Sequence, residues 1–259
     1  MQKLVRLVLS LAVVWYVLFG VVLALFEKRM VYFPDAQDFE SCAGFLDAEK
    51  ITYKGTRFYY KHIHDEKAVV FYHGNGGSAC DRSVLKDTFE EAGFSYLFVE
   101  YPGYSADTHL PSKASILEDV ITVRAFLDER GYNKVVPVGE SLGTGPAAYH
   151  AYLGGVQKVI LRTPYYEIAD MVGTLGKVYP LRYMMRENFT PGAWMKDIAL
   201  PILVIYVPVD EVIPYQSTKK LYDSLTSPEK KMVGIEHGTH NTLYELDQTF
   251  EEIRSFLLQ

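Results

Sequence analysis

The chain has 259 residues, of which 49% are hydrophobic and 22% are charged, and its formal net charge is -6 at pH 7. These values fit one globular α/β domain with an appendage, and they exclude an intrinsically disordered chain. The acidic balance argues against a dedicated nucleic-acid binder, because such proteins need a cationic surface to neutralise phosphates. We therefore expect no nucleic-acid partner.

An uncharged, apolar segment covers residues 7–26. A helix of this length matches the hydrocarbon thickness of a bilayer. A cleaved signal peptide is the alternative, but it would have a shorter apolar region that ends at small residues, and residues 22–24 fit that site poorly. We therefore predict a retained membrane anchor over residues 1–30. The positive-inside rule selects no orientation, because two basic residues lie on each side: Lys3 and Arg6, then Lys28 and Arg29.

Beyond a predicted linker at residues 31–45, residues 46–259 read as one domain in which strand-like and helix-like segments alternate. The strand-like runs are apolar on both faces, which is typical of a parallel sheet covered by helices. We predict strands at residues 51–53, 58–61, 68–72, 95–99, 134–138, 158–161, 202–207 and 232–235, the first two as a hairpin around Gly55. We predict helices at residues 84–92, 116–130, 142–152, 218–225 and 243–258. Pro137 lacks an amide donor and would mark the end of hydrogen bonding in its strand.

Residues 163–200 form a connection that is too long for a plain loop and that contains Met184, Met185 and Trp194. We interpret this segment as a small helical lid inserted over the site. An ordinary peripheral helix pair is an equally good alternative.

The two cysteines, Cys42 and Cys80, form neither a disulfide framework nor a zinc motif, although a single bridge between them is compatible with the sequence. The redox compartment therefore stays open. His62 and His64 would share one face of a strand, but no third ligand lies near them. We predict no metal site.

The segment from Gly139 to Gly143 fits the pattern G-x-S-x-G around Ser141. This pattern needs small residues on both sides of the serine, because the nucleophile sits on a tight strand-to-helix turn where a Cβ would clash. A predicted strand precedes the motif and a predicted helix follows it. Ser141 is therefore the predicted nucleophile, and a structural glycine-rich turn is the alternative.

A serine hydroxyl needs a base, and the base needs a group that orients it. Asp210 follows the predicted strand at 202–207, and His240 follows the one at 232–235, in the order Ser, acid, His. Both positions lie at the edge where open α/β sheets build their sites. We predict Asp210 as the acid and His240 as the base, with Glu211 and His237 as alternatives.

A glycine-rich segment at residues 73–78 follows the predicted strand at 68–72. Its backbone N–H groups can bind a developing oxyanion, and we predict the amides of Asn75 and Leu142 as the donors. Phosphate binding is the alternative for such a loop, but the pattern G-x-x-x-x-G-K-[ST] is missing from the sequence. We expect His73 to hydrogen-bond the loop and not to transfer protons.

Together these motifs resemble the α/β-hydrolase superfamily, and within it the Bem46-like and ABHD-type membrane-anchored serine hydrolases. The resemblance covers nearly the whole chain, at residues 31–34, 73–77, 101–105, 111–112, 139–145, 210–214 and 238–241. It implies Ser141, Asp210 and His240 as a catalytic triad, with oxyanion donors near Asn75 and Leu142. Pro102, Lys113 and Glu140 depart from the common pattern and leave the substrate preference open. Similar proteins include lipid-anchor thioesterases, general esterases and serine aminopeptidases.

The expected function is cleavage of ester, thioester or amide bonds through an acyl-enzyme, with a small-molecule or acylated, lipid-like substrate. We expect no metal and no organic cofactor, and the membrane as a partner through the N-terminal helix. An aminopeptidase-like serine peptidase is one alternative, favoured if Glu140 or Glu167 held a substrate amine. A catalytically silent membrane scaffold is another, because a fold does not fix a function. The sequence predicts neither the oligomeric state nor the side of the membrane on which the domain lies.

Overall fold

The computed structural model of the chain describes residues 1–173, 175–243 and 246–259. The strands are β1 Phe33–Pro34, β2 Glu49–Tyr53, β3 Thr56–Lys61, β4 Lys67–Tyr72, β5 Gly76–Gly77, β6 Ser95–Glu100, β7 Lys134–Glu140, β8 Val159–Arg162, β9 Ile202–Tyr206 and β10 Lys230–Gly234. The α-helices are α1 Gln2–Val31, α2 Lys86–Glu91, α3 Lys113–Glu129, α4 Thr144–Leu153, α5 Leu175–Val178, α6 Leu181–Met184, α7 Pro191–Met195, α8 Tyr215–Ser224 and α9 Asp247–Leu258.

The described strands form a central sheet in the order β10-β9-β8-β7-β4-β6-β3-β2. The strands from β10 to β6 run parallel, and β3 and β2 add an antiparallel edge. Lys54 and Gly55 turn the β2–β3 hairpin with φ values of 47° and 92°. The predicted α/β class, the mostly parallel sheet and the hairpin around Gly55 are confirmed.

Successive side chains of each strand point to opposite faces of the sheet. In the parallel strands both faces are buried by helices. In β4, Val70 and Tyr72 belong to one apolar cluster, and Val69 and Phe71 belong to the other. Residues of α3, α4 and α8 pack into the first cluster, and residues of α2 and α9 pack into the second. This three-layer arrangement leaves the carboxyl edge of the parallel strands free to build a site.

Two elements of the structure differ from their sequence predictions. Pro137 lies inside β7, opposite Val70, so the prediction that it ends hydrogen bonding in its strand is wrong. The β7–β8 ladder begins only at Val138, so the proline lies where β8 does not yet pair with β7. The helix predicted from residue 243 begins at Asp247, and its residues 244 and 245 lie outside the described part of the chain.

The N-terminal helix α1 is long and apolar enough to cross a membrane, with a mean hydropathy of 2.6 over its most apolar window. Residues before Tyr16 are exposed, whereas Gly20, Glu27 and Val31 are buried against the rest of the chain. These buried positions recur at the spacing of one helix face. The second half of α1 is therefore packed against the domain.

The segment at 31–45 lies against the domain, and a disulfide joins Cys42 to Cys80 with a Cα–Cα distance of 5.9 Å. Tyr32, Phe39 and Phe45 in this segment are buried. The residues at 163–200, hereafter the insertion, comprise the 3₁₀ helix Ile168–Val172 followed by α5, α6 and α7, apart from Thr174, which is not described. The division into anchor, linker, domain and lid stays a prediction.

Candidate active site

The predicted site residues follow strands that end at the same edge of the sheet. Ser141 follows β7 directly, Asp210 follows β9, His240 follows β10, and the glycine-rich loop follows β4. Because these strands are parallel neighbours or near neighbours, their carboxyl ends bring these loops together. Ser141 and His240, which are 99 positions apart in sequence, therefore meet at one place.

The turn that carries Ser141 is strained and needs its glycines. Ser141 has a φ of 49°, which costs a residue other than glycine about 1–2 kcal/mol. A Cβ on Gly139 would lie 2.4 Å from the carbonyl oxygen of Gly143, and a Cβ on Gly143 would lie 2.0 Å from that of Tyr72. The spacing in the motif is therefore dictated by backbone contacts, as the sequence predicts.

The structure brings Ser141, His240 and Asp210 into one line of hydrogen bonds. The Nε2 atom of His240 lies 3.0 Å from the Oγ of Ser141, and its Nδ1 lies 2.9 Å from the Oδ2 of Asp210. The other carboxylate oxygen of Asp210 accepts the backbone N–H groups of Val212 at 2.8 Å and Ile213 at 2.7 Å. Each of the three groups is thus held by a neighbour on a different loop.

The electrostatics of Asp210 decide which nitrogen of His240 carries a proton. Burial alone would raise the pKa of Asp210, but the hydrogen bond from His240 and the two backbone amides outweigh it and lower that pKa. The carboxylate is therefore ionised and accepts hydrogen bonds only. His240 must then donate through Nδ1, which leaves Nε2 free to accept the proton of Ser141.

The alternative acid and base lie outside this line. The Glu211 carboxylate accepts the backbone N–H of His240 at 3.1 Å, so it holds the loop and not the imidazole ring. His237 is exposed to solvent. The geometry therefore favours Asp210 and His240 over the alternatives that the sequence leaves open.

The glycine-rich loop is fixed by a buried His73. Its Nδ1 lies 2.7 Å from the carbonyl oxygen of Gly74, and its Nε2 lies 3.2 Å from Oε1 of Glu100, with both side chains fully buried. The second oxygen of Glu100 accepts the hydroxyl of Ser105 at 2.7 Å. His73 thus holds the loop, as the sequence predicts.

The predicted oxyanion donors flank Ser141 on two sides. Asn75 lines the pocket beside Ser141, and Leu142 is the next residue in the short 3₁₀ helix Ser141–Gly143. The Leu142 carbonyl accepts the hydroxyl of Tyr165 at 3.1 Å. The Asn75 carbonyl accepts the hydroxyl of Tyr104 at 2.8 Å. The two buried tyrosines thus bond the carbonyl groups that follow the predicted donor N–H groups along the chain.

A second support of this loop was missed by sequence reasoning. Directly after α1, β1 pairs in parallel with β5, so that Phe33 lies opposite Gly76 and Pro34 lies opposite Gly77. The N–H of Phe33 donates to the carbonyl oxygen of Asn75 at 3.0 Å. The only sequence signal for this pairing is the resemblance motif at residues 31–34, which gives no partner. The end of α1 is therefore joined to the glycine-rich loop, which contains the predicted donor Asn75.

The pocket beside Ser141 has a volume of about 390 Å³ and a charged wall. Glu140 accepts from Arg82 at 3.0 Å on one oxygen and from Arg162 at 3.4 Å on the other. Arg82 and Asp81 line the pocket together with the glycine-rich loop. Neither arginine was singled out from the sequence, because no local motif contains them. Glu140, which departs from the family pattern, is thus accommodated by two cations.

Several known proteins are similar to this chain in sequence. The chain is 26% identical over 266 residues to an uncharacterized protein of Mycobacterium tuberculosis, covering 96% of this chain and 94% of that one. It is 26% identical over 203 residues to the protein bem46 of Schizosaccharomyces pombe, covering 74% and 67% respectively. The chain is therefore similar in sequence to bem46 over most of its length. No protein-family model matches this Bem46-like chain.

Solved structures agree with the fold of this Bem46-like chain. An esterase of Pyrococcus furiosus superposes with a TM-score of 0.69 at 14% identity, covering 88% of this chain and 97% of the esterase. A monoacylglycerol lipase of Paleococcus ferrophilus superposes with a TM-score of 0.63 at 16% identity, covering 78% and 98%. At these identities the likeness shows the fold, and the predicted α/β-hydrolase fold is confirmed.

Proposed function

We propose that this Bem46-like chain is a membrane-anchored serine hydrolase that cleaves carboxylic esters or thioesters of lipid-like, acylated substrates. The observation that carries the proposal is the unbroken line of hydrogen bonds from Ser141 through His240 to Asp210. Hydrolysis by such a site needs no metal or organic cofactor. The structural likeness to a lipase and an esterase supports the same class of reaction.

In the first half of the proposed reaction, the Oγ of Ser141 attacks the acyl carbon while Nε2 of His240 takes its proton. The carbonyl π electrons move onto oxygen, and the amides of Asn75 and Leu142 stabilise that oxyanion. Asp210 stabilises the imidazolium that forms. When the intermediate collapses, the bond to the leaving group breaks, His240 gives its proton to the alcohol or thiol, and an acyl-enzyme remains.

In the second half, water attacks the acyl carbon of the acyl-enzyme. His240 takes a proton from that water, and the second tetrahedral intermediate uses the same two amides. Collapse then breaks the bond to Oγ, His240 returns the proton to Ser141, and the carboxylic acid leaves. The cycle thus restores the starting protonation of all three side chains.

The charged side chains near the site favour an ester or thioester over a peptide with a free amine. Glu140 is engaged by Arg82 and Arg162, and Glu167 bonds Arg182 and Asn188. A carboxylate already paired with cations offers a weak site for a substrate ammonium group. The strained turn at Ser141 argues against a silent scaffold, because such strain persists where function requires it.

Contacts of α1 support its role as a retained anchor. The buried Glu27 accepts backbone N–H groups of Arg186 at 3.1 Å and Glu187 at 2.7 Å. Tyr16 stacks on Tyr179 of the insertion with ring centroids 4.3 Å apart. Cleavage near residue 24 would remove part of these contacts. We therefore propose that α1 stays attached and crosses the membrane.

The disulfide between Cys42 and Cys80 supports an orientation for this anchor. Disulfides persist in oxidising compartments and are rare where thiols are kept reduced. We propose that the domain lies on the oxidising side of the membrane, with the N-terminal end of α1 on the other side. Protease protection in sealed vesicles whose oxidising side faces outward tests this orientation. Resistance of the domain until these vesicles are ruptured would contradict it.

The proposed activity is tested with p-nitrophenyl and thioester substrates of graded acyl length, using the full chain in detergent. We expect hydrolysis that Ser141→Ala abolishes. Absence of hydrolysis with every ester and thioester, while an aminoacyl amide with a free amine is cleaved, would replace the esterase by the peptidase.

A further inference from the structure

The cavity that lies between α1 and the insertion has no role in the reaction described above. Its volume is about 260 Å³. One wall is the face of α1 that includes Gly20, Leu23 and Ala24, and the opposite wall includes Ile168, Met171 and Met184. Of its twelve described lining residues, Glu27 alone carries a charge. We propose that this cavity, hereafter the α1 cavity, binds one hydrocarbon chain of a neutral acyl lipid taken from the bilayer.

The lining of the α1 cavity suits a flexible apolar guest. Met30, Met171, Met184 and Met185 line it, and methionine side chains adapt to irregular apolar shapes because they are unbranched and polarizable. Apolar cavities bind apolar molecules in preference to water, which would lose hydrogen bonds there. The volume is below the range of about 300–1,000 Å³ for sites of whole drug-sized ligands. It therefore suits part of a lipid, a single chain.

The mouth of the α1 cavity faces the membrane if α1 spans it. Ala24 lines the cavity and is nevertheless exposed, as are Met30 and Met184 at 49% and 38%. Gly20, Leu23 and Ala24 belong to the uncharged segment predicted to cross the bilayer. On the insertion, Val178 and Tyr183 are exposed at 60% and 83%. A lipid chain can thus enter sideways from the bilayer without crossing water.

Glu27 selects the kind of lipid. Its carboxylate lies at the cavity and its two oxygens already accept backbone N–H groups of Arg186 and Glu187. The carboxylate of a free fatty acid brought beside it would meet a like charge in a medium of low dielectric constant. A neutral glyceride meets no such repulsion. The α1 cavity therefore favours a monoacylglycerol over the corresponding fatty acid.

The α1 cavity and the pocket at Ser141 share none of their described lining residues. Chain binding can therefore be measured without turnover. The inference rests on the proposed function only in requiring that α1 lie in a membrane. The probe is a monoacylglycerol with a diazirine in its acyl chain, presented in phosphatidylcholine nanodiscs to the full chain carrying Ser141→Ala. After illumination, mass spectrometry locates the adducts.

We expect adducts on residues 168–172, 181–185 and 20–31. Ala24→Phe fills the mouth and should lower them at least about tenfold, because burial of several methylenes is lost. The matched control is Ala12→Phe, the same change on the exposed half of α1, which should leave them unchanged. Val172→Phe blocks from the opposite wall and should act like Ala24→Phe. Equal labelling of the blocked and control variants, or adducts confined to residues 2–15, would overturn the proposal.

Competition by unlabelled lipids tests the choice of a neutral head group. Monoacylglycerol should displace the probe at least about tenfold more strongly than the fatty acid of equal length, because it avoids repulsion between the fatty-acid carboxylate and Glu27. Equal competition would refute that choice. Fluorophosphonate labelling of each variant with Ser141 intact reports whether the site at Ser141 is folded and reactive. This readout is separate from photolabelling of the α1 cavity. Loss of that label with photolabelling retained would count against the hydrolase and not against the cavity.

Discussion

The pocket at Ser141 and the α1 cavity are built in different ways. The pocket is assembled from loops at the sheet edge. Hydrogen bonds between these loops and within them hold its polar groups in place. The cavity is assembled from apolar side chains on helix faces. The chemistry proposed for the pocket requires its catalytic groups to be placed within about 0.5 Å. Binding in the α1 cavity depends instead on the apolar surface area that is removed from water.

The two regions are joined by a short stretch of chain. Glu27 lies at the α1 cavity, and six residues later Phe33 donates its N–H to the loop beside Ser141. Tyr32 between them donates its hydroxyl to Glu187 of the insertion at 2.7 Å. We predict that a change in how α1 packs against the insertion alters the position of the glycine-rich loop through these contacts, and the Phe33 variants below test this.

Loss of the proposed base should affect the pocket at Ser141 and leave the α1 cavity unchanged. His240→Ala removes the proposed base and should lower kcat/KM for an ester at least about 10⁴-fold. Photolabelling of the α1 cavity should not change. The matched control is His237→Ala, because His237 is exposed and lies three residues earlier, and it should keep full activity. Comparable losses in both variants would contradict the assignment of the base.

The disulfide ties the segment at 31–45 to Cys80, which lies shortly after the glycine-rich loop in sequence. Cys42 and Cys80 are 38 positions apart, and a crosslink over such a loop stabilises by about 2–4 kcal/mol in the chain-entropy account. Replacing both by serine should lower the free energy of unfolding by about this amount, measured by urea denaturation in detergent. An unchanged denaturation midpoint would show that the bridge does not stabilise the domain.

A buried carboxylate outside both regions provides a contrast with Asp210. Burial raises the pKa of Asp119 to about 7, and its single described donor is the hydroxyl of Thr56 at 2.6 Å. The folded state therefore holds a proton that the unfolded state releases near pH 4. Stability from this group is present below pH 4 and is lost as the pH rises through about 7.

Asp119→Asn should remove that loss. We expect the variant to exceed the parent by about 2–4 kcal/mol in free energy of unfolding at pH 8, and to differ little at pH 4, since each unit of pKa difference corresponds to about 1.4 kcal/mol. Denaturation midpoints at the two pH values measure this. A variant that is less stable than the parent at pH 8 would contradict the assignment.

The backbone hydrogen bond of Phe33 connects the two regions, and its removal tests that connection. Phe33→Pro removes the N–H that binds the Asn75 carbonyl and should lower kcat about fivefold to tenfold, as the loss of one hydrogen bond of about 1 kcal/mol implies. KM should change little. Phe33→Ala keeps the N–H and is the control. Equal kcat in the two variants would show that the β1–β5 pairing does not position the loop.

The sheet and the turn at Ser141 could be predicted because their signals are local. Apolar runs mark buried parallel strands, and Gly139 and Gly143 mark a backbone approach that no side chain allows. The positions of Asp210 and His240 followed from strand order, which places loop residues at one edge. Their hydrogen-bonding line agrees with the expectation, and their catalytic role stays a prediction.

The remaining features depend on contacts that carry no local pattern. Arg82 and Arg162 meet Glu140 from 58 and 22 positions away. The pairing of β1 with β5 involves two residues on each strand, too few to produce a periodic signal. The packing of Tyr16 on Tyr179 spans 163 positions. Such contacts emerge only when the whole chain has folded.

Peptide mapping after reaction of the full chain with a fluorophosphonate identifies the nucleophile itself. We expect one phosphonylated peptide, with the adduct on Ser141, and strongly slowed formation of that adduct in His240→Ala. An adduct on a different residue, or undiminished labelling of Ser141→Ala, would contradict it.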